Sequence, residues 1–108
     1  MITRYAFFQG QIRMEQKDKF REAVLSRLVP LWTQFPGQIG VKVTFGRERD
    51  EGAPEFPLIL AISYPDRHSM DEALDSNFRE QSRTVTAEIV NEYFNGFIHH
   101  HVTEAHNF

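Results

Sequence analysis

A run of histidines near the end of the chain offers the most distinctive chemistry in this sequence. His99, His100 and His101 are consecutive, and in an extended strand the first and third project from the same face. This His-x-His spacing lets two imidazoles reach one metal ion, although a metal site normally takes a third or fourth ligand. His99 and His101 are therefore weak candidates for metal ligands, and solvent-facing or interface histidines are the alternative.

The middle histidine has apolar neighbours on its own face of the strand. Ile98 and Val102 flank His100 at the two-residue strand period, which predicts a half-buried imidazole that titrates near neutral pH. Such a group could transfer a proton during oxidation or isomerisation of a phenolic or enolic substrate. The alternative is a core histidine that is hydrogen-bonded to a neighbour, because an unpartnered polar group is costly to bury.

Three further side chains could bind a substrate. Arg4 shares the parity of Ala6 and Phe8, and it could pair with a substrate carboxylate or with a glutamate of the chain. Trp32 and Tyr5 could line a pocket for an aromatic ligand, and simple core or interface positions are the alternative. No Gly-rich phosphate loop, nucleophile elbow, zinc-binding helix motif or pair of catalytic carboxylates occurs, so nucleotide and hydrolase functions have no support.

The composition fits a single globular domain over residues 1–108. Hydrophobic residues make up 41% and charged residues 25% of the chain, a balance that argues against disorder. The net charge is −3 and the basic residues are dispersed, so nucleic acid is not an expected partner. Without cysteine there is no disulfide or thiolate metal site. The first residues resemble neither a signal peptide nor a membrane span, and a cytoplasmic location is expected.

Strands are predicted in four segments, in the overall order strand, helix, strand, strand, helix, strand. Residues 2–12 and 57–64 carry apolar residues on both parities, which predicts strands that are buried on both faces. Residues 38–46 alternate cleanly between apolar and polar side chains, which predicts a strand with one apolar face. The last strand is expected to run from Phe97 to about Thr103.

The first helix is predicted from Glu15 to about Phe35. Pro30 lacks an amide hydrogen and crowds the turn before it, so the helix should bend or restart near Val29. Apolar residues at the helical period predict the buried stripe of this helix, which consists of Phe20, Val24, Leu28, Leu31 and Phe35.

A second helical region is predicted from residue 69. Ser69 and Glu72 fit a capping box, in which each side chain bonds the backbone amide of the other residue. A break is expected around residues 75–77, and a longer helix should follow it. Asn95 and Gly96 are expected to close that helix, because glycine often lies just past a helix end.

This element order predicts an α+β fold, a ferredoxin-like βαββαβ sandwich. Right-handed crossovers give a four-stranded antiparallel sheet with both helices on one face. The other face would expose apolar residues of the first and third strands as a large patch. Covering such a patch is favoured by roughly 25 cal/mol per Å², and a second copy is the simplest cover. A homodimer through the open sheet face is therefore predicted.

Short segments along the chain carry a resemblance to known domains. The first is residues 35–40, between the first helix and the second strand. The others are residues 63–64, at the end of the third strand, and residues 73–74 and 76–79, which follow that strand. In these segments the chain resembles the dimeric α+β barrel superfamily, and most closely the antibiotic-biosynthesis-monooxygenase-like (ABM) and EthD-like domains. The resemblance covers nearly the whole chain.

The resemblance implies a pocket between the sheet and the helices of each monomer, lined here by Tyr64, Trp32 and His100. Tyr64 stands where monooxygenase-like members often have tryptophan, and a tyrosine can both stack on an aromatic substrate and donate a hydrogen bond. Tyr64 and His100 are thus the candidate catalytic residues.

The function implied by the resemblance is a small monooxygenase-like enzyme, without a tightly bound cofactor, that acts on a small hydrophobic or aromatic metabolite. A non-catalytic dimer that binds a small ligand is the alternative. Haem binding or degradation, with a histidine as axial ligand, is a further alternative.

Overall fold

Four antiparallel strands form one sheet in the computed structural model, which describes residues 1–108. They are β1 (Ile2–Ile12), β2 (Gly40–Phe45), β3 (Leu58–Tyr64) and β4 (Phe94–Glu104). The strands are ordered β2-β3-β1-β4, and each neighbouring pair is antiparallel. The predicted ferredoxin-like α+β fold is confirmed, with the two strands predicted to be buried on both faces, β1 and β3, at the centre of the sheet.

Two helical segments connect the strands. The first comprises α1 (Lys17–Ala23), a π-helical turn (Val24–Leu28) and α2 (Val29–Trp32), and the second comprises α3 (Arg67–Leu74) and α4 (Asn77–Tyr93). The restart predicted at Val29 is present, because Pro30 has no amide hydrogen to continue the regular helix. None of the helices combines the length and apolar character that crossing a membrane requires.

The π-helical turn changes which side chains of the first segment are buried. Phe20, Val24 and Leu28 are buried as predicted, but the next buried position is Trp32 and not Leu31. A π-turn holds one more residue than an α-turn, so the apolar stripe moves forward by one position. This shift directs Trp32 into the space between helix and sheet.

The start of α3 differs from the prediction. Asp66 is the N-cap, and its Oδ1 accepts a hydrogen bond from the Ser69 amide at 2.8 Å. This bond holds the pKa of Asp66 below its ordinary value. Ser69 therefore lies in the first turn and Glu72 contacts His68, so the predicted capping box is wrong. A carboxylate is a stronger acceptor for the free amides of a helix start than a hydroxyl is.

The end of α4 also differs, because the helix stops at Tyr93 and β4 begins at Phe94 instead of Phe97. Gly96 is not a helix cap: it pairs with Gly10 across β1 and β4. The two glycines have φ angles of +157° and +148°, and a Cβ on either would lie 2.1 Å from a carbonyl oxygen of the opposite strand. Glycine is required at both positions for the strands to approach.

The hydrophobic core lies between the helices and one face of the sheet. Strand alternation places every second residue of β3 in this core, from Leu58 to Tyr64. The helices contribute the other large buried side chains, among them Phe20, Leu28, Met70 and Ile89.

The opposite face of the sheet carries aromatic side chains that no helix covers. Tyr5 and Phe7 stack with ring centroids 5.4 Å apart, and Phe7 also contacts the rings of Phe56 and His101. Phe97 is 61% exposed and packs edge-on against His99. We call this surface the open aromatic face, which consists of Tyr5, Phe7, Phe56, Phe97, His99 and His101.

Candidate functional site

A half-enclosed cavity of about 380 Å³ lies between the sheet and the helices. Hydrophobic residues form 11 of its 17 lining positions, and the volume is within the range of pockets that hold small organic ligands. Tyr64, Trp32, His100 and Arg4 all line it. The structure thus brings four of the residues predicted from the sequence into one site.

The sheet register places the polar side chains side by side. Along β1, Ile2 pairs with Tyr64 of β3 and Ala6 pairs with His100 of β4. Arg4 lies midway between these positions and on the same face, since side chains alternate along a strand. The Arg4 side chain therefore leaves the sheet from a position between Tyr64 and His100, and all three residues line the cavity.

Tyr64 keeps its proton at neutral pH. The residue is only 1% exposed, and this burial raises the pKa of Tyr64 to about 12, although Arg4 and Arg79 oppose the shift. The Tyr64 hydroxyl has no hydrogen-bond partner within the chain. Every fully buried polar side-chain atom of the protein does have a partner, so this hydroxyl is not fully buried, and it opens into the cavity that Tyr64 lines. It is available to donate a hydrogen bond to a ligand.

His100 is neutral at physiological pH. Desolvation by the cavity walls, together with the positive charges of Arg4 and Arg79, lowers the pKa of His100 to about 4. The sequence alone predicted titration near neutral pH. The difference arises mainly because the strand pattern does not show how far the cavity walls desolvate the imidazole, and secondarily because it does not show the charge of Arg79. The residue remains exposed at the cavity rim in the single chain, so an entering ligand can reach the unprotonated nitrogen.

Arg79 is a cavity residue that the sequence analysis did not select. It lies in the first turn of α4, where Ser76 Oγ accepts a hydrogen bond from the Arg79 amide at 3.3 Å. Ser76 Oγ also donates to the carbonyl of Ala73 at 2.6 Å, which fixes the turn between α3 and α4. The predicted helix break at residues 75–77 could have indicated Arg79, because an N-cap at Ser76 fixes the direction of the first turn of the next helix.

Three predicted site residues do not reach this cavity. Tyr5 neighbours Arg4 in β1 and so points to the opposite side of the sheet, where it stacks on Phe7; its predicted place in the pocket is corrected. His99 and His101 also lie on the open aromatic face. The chain contains no group of three or more His, Cys, Asp or Glu side chains that could hold a metal ion.

Solved structures with the same architecture were found by comparison of the folds. A protein of the ethyl tert-butyl ether D (EthD) family from Bacillus halodurans superposes with a TM-score of 0.79 at 21% identity, over 98% of this chain and 99% of the other. SnoaB, described as a cofactor-independent oxygenase from Streptomyces nogalater, gives a TM-score of 0.62 at 16% identity, over 99% and 94%. A dimeric protein of unknown function with a ferredoxin-like fold from Bacteroides fragilis gives 0.69 at 9% identity, over 96% and 95%.

These likenesses establish the fold. The chain has the ferredoxin-like architecture of the EthD-family protein, of SnoaB and of an antibiotic biosynthesis monooxygenase, which confirms the resemblance in fold predicted from the sequence. No family model matches the chain, and no curated protein matches it in sequence. Identities this low carry fold information alone, so the reaction must be argued from the cavity itself.

Proposed function

We propose that the protein is a small monooxygenase-like enzyme that acts, without a tightly bound cofactor, on a small hydrophobic or aromatic metabolite held in this cavity. The observation that carries the proposal is that a phenol and an imidazole with displaced pKa values, Tyr64 and His100, face one largely apolar cavity. Displaced pKa values in a cleft are characteristic of catalytic sites. The oxygenase SnoaB, which shares the fold, supports the proposal by analogy.

The cavity residues suit a reaction that begins with loss of a proton from the substrate. An imidazole whose pKa is about 4 is a weak base, so proton transfer from a phenol or enol to His100 requires the guanidinium groups beside it to stabilise the resulting anion. The negative charge of that anion in turn raises the pKa of His100. That electron-rich anion is the form of the substrate that can reduce dioxygen. For a substrate with a reactive CH₂ group, one O₂ is consumed, the carbon becomes a carbonyl, and the second oxygen atom leaves as water.

Tyr64 has a different role in this scheme. Its protonated hydroxyl donates a hydrogen bond to the substrate oxygen and fixes the ring against the apolar wall. Trp32, which is 3% exposed, forms part of that wall. The two aromatic side chains therefore orient the substrate, and His100 moves the proton.

The alternative function, a dimer that binds a small ligand without changing it, would use the same cavity. It gives no reason for a neutral imidazole and an unpaired phenol to share the site, and for this reason we favour the enzyme. The haem alternative would make His100 an axial ligand, and a Soret titration would detect it.

We further propose that a second copy of the chain covers the open aromatic face. Half-buried aromatic side chains, together with the exposed Phe97, line one face of the four-stranded sheet and form the kind of patch that marks a protein interface. The Bacteroides fragilis protein of the same fold is described as dimeric. The predicted cytoplasmic location stays a prediction.

Oxygen uptake tests the proposed enzyme. We expect the wild-type protein to accelerate oxygen consumption by one or more members of a panel of hydroquinones and phenols with a reactive CH₂ group. Tyr64→Phe and His100→Gln should each lower kcat/KM by about 100-fold, the size of a lost proton-transfer or orienting group. Tyr93→Phe is the matched control, because Tyr93 lies outside the cavity, and it should retain full activity. Binding of these compounds without any acceleration of oxygen uptake would show that the protein is not an oxygenase.

A further inference from the structure

The charges that line the cavity are all of one sign. Its lining includes Arg4, Arg79 and Arg83 and no aspartate or glutamate. This is unexpected by composition, since the chain has 15 acidic residues and only 12 Lys and Arg. The electrostatic potential in this largely apolar cavity therefore favours a bound anion, although the protein as a whole is acidic.

Two of these arginines have no partner. Neither Arg4 nor Arg79 has a carboxylate oxygen within 4.0 Å, and only Arg83, which is exposed, approaches Glu80 at that distance. Arginines elsewhere on the surface do reach acidic residues, in the pairs Arg27–Glu88, Arg49–Glu55 and Arg67–Asp71. Unlike these three exposed arginines, the partly buried pair therefore has no carboxylate partner.

Holding these two positive charges together in a largely apolar cavity costs free energy. Desolvation, followed by the charge of Arg79, lowers the pKa of Arg4. The charges that act on Arg4, Tyr64 and His100 come from one another, from Arg79 and from His99, and none is a carboxylate. A bound anion would remove this repulsion, whereas a neutral ligand would bury the guanidinium groups still further from water.

We propose that the cavity selects an organic anion, with an aromatic or aliphatic body against Trp32 and one carboxylate or other singly charged acidic group between Arg4 and Arg79. Paired guanidinium groups bind a carboxylate through charge-assisted hydrogen bonds. This inference rests on the proposed function, because it takes the same cavity as the ligand site. It narrows the substrate class from hydrophobic metabolites in general to acidic ones.

Calorimetric titration with two isosteric probes tests this inference. We expect 2-naphthoate to bind the wild-type protein at least tenfold more tightly than 2-naphthamide, the discrimination that a hydrogen-bonded charge supplies. Arg4→Met and Arg79→Met should each remove most of that preference while amide binding persists, which would show that the cavity is intact. Arg47→Met is the matched control, because Arg47 is exposed in the loop after β2, and it should leave both affinities unchanged.

The possible outcomes separate this inference from the proposed enzyme. Equal affinity for acid and amide, or no binding of either probe, would overturn anion selection, while oxygen uptake with neutral phenols would still support the enzyme. Selective binding of naphthoate that depends on Arg4 and Arg79 supports anion selection, even if no compound supports oxygen uptake. If the preference for naphthoate over naphthamide survives both substitutions, another group must bind the carboxylate, and this result would also overturn the inference.

Discussion

Replacing Phe7 with glutamate is expected to convert the proposed dimer into a monomer at micromolar concentration. Phe7 lies at the middle of β1, a central strand, and contacts the rings of Tyr5, Phe56 and His101. A carboxylate at this point would be buried without a partner when two open aromatic faces meet, which costs several kcal/mol per site. Sedimentation velocity of the two proteins at equal concentration measures the change.

The control for this variant places the same charge away from the interface. Gln81→Glu adds a carboxylate on the exposed side of α4 and is expected to leave the dimer intact. Circular dichroism should show that both variants keep their helices and sheet. A wild-type chain that sediments as a monomer would contradict the proposed dimer, and a Phe7→Glu variant that remains dimeric would place the interface elsewhere.

Gly10→Ala is expected to lower the free energy of unfolding by about 3 kcal/mol, a large effect for a single methyl group. The new Cβ would lie 2.1 Å from the carbonyl oxygen of Asn95, and the φ of +148° is strained for any residue with a side chain. Strands β1 and β4 would have to separate at this end of the sheet. Denaturation by urea, followed by circular dichroism, measures the loss.

Gly40→Ala is the matched control for that substitution. Gly40 also lies in a strand, but a Cβ there meets nothing within 4 Å. This alanine should leave stability unchanged or raise it slightly, because it restricts the unfolded chain without strain in the folded one. Equal stability of Gly10→Ala and the wild-type protein would mean that the close approach of Gly10 to β4 is not required.

The fold followed from the sequence because its main signals are periodic. Few positions in a sheet suit a strand with apolar side chains on both faces, as at residues 2–12 and 57–64. The same holds for a strand that alternates cleanly, as at residues 38–46. The same alternation put His100 and Arg4 on the helix-facing side, where the cavity lies. The same parity puts Tyr5 on the opposite side from Arg4, so the prediction of Tyr5 as a pocket residue could have been rejected from the sequence.

The remaining features depend on contacts that no periodic pattern encodes. Trp32 entered the cavity wall because a π-turn shifted the helix register, and the identity of Pro30 alone does not fix that turn. Asp66 displaced Ser69 as a cap by competition between neighbouring acceptors. The pKa of His100 depends first on desolvation by the cavity walls and then on the charges of Arg4 and Arg79. Arg79 is distant in sequence and reaches the site only through the start of α4. The local sequence pattern thus predicted the strands and helices, whereas tertiary contacts determine the cavity wall and the pKa values of its residues.

The cavity between the helices and the sheet is the proposed substrate site, and blocking the mouth of the cavity tests this proposal most directly. Ala87 lines the cavity at an exposed position of α4, so Ala87→Phe should fill the entrance without disturbing the core. Gln81→Phe puts the same ring on the same helix outside the lining. Measured by substrate-dependent oxygen uptake, kcat/KM should fall at least 100-fold in Ala87→Phe and stay at the wild-type value in Gln81→Phe. Unchanged turnover by a correctly folded Ala87→Phe variant would contradict the account.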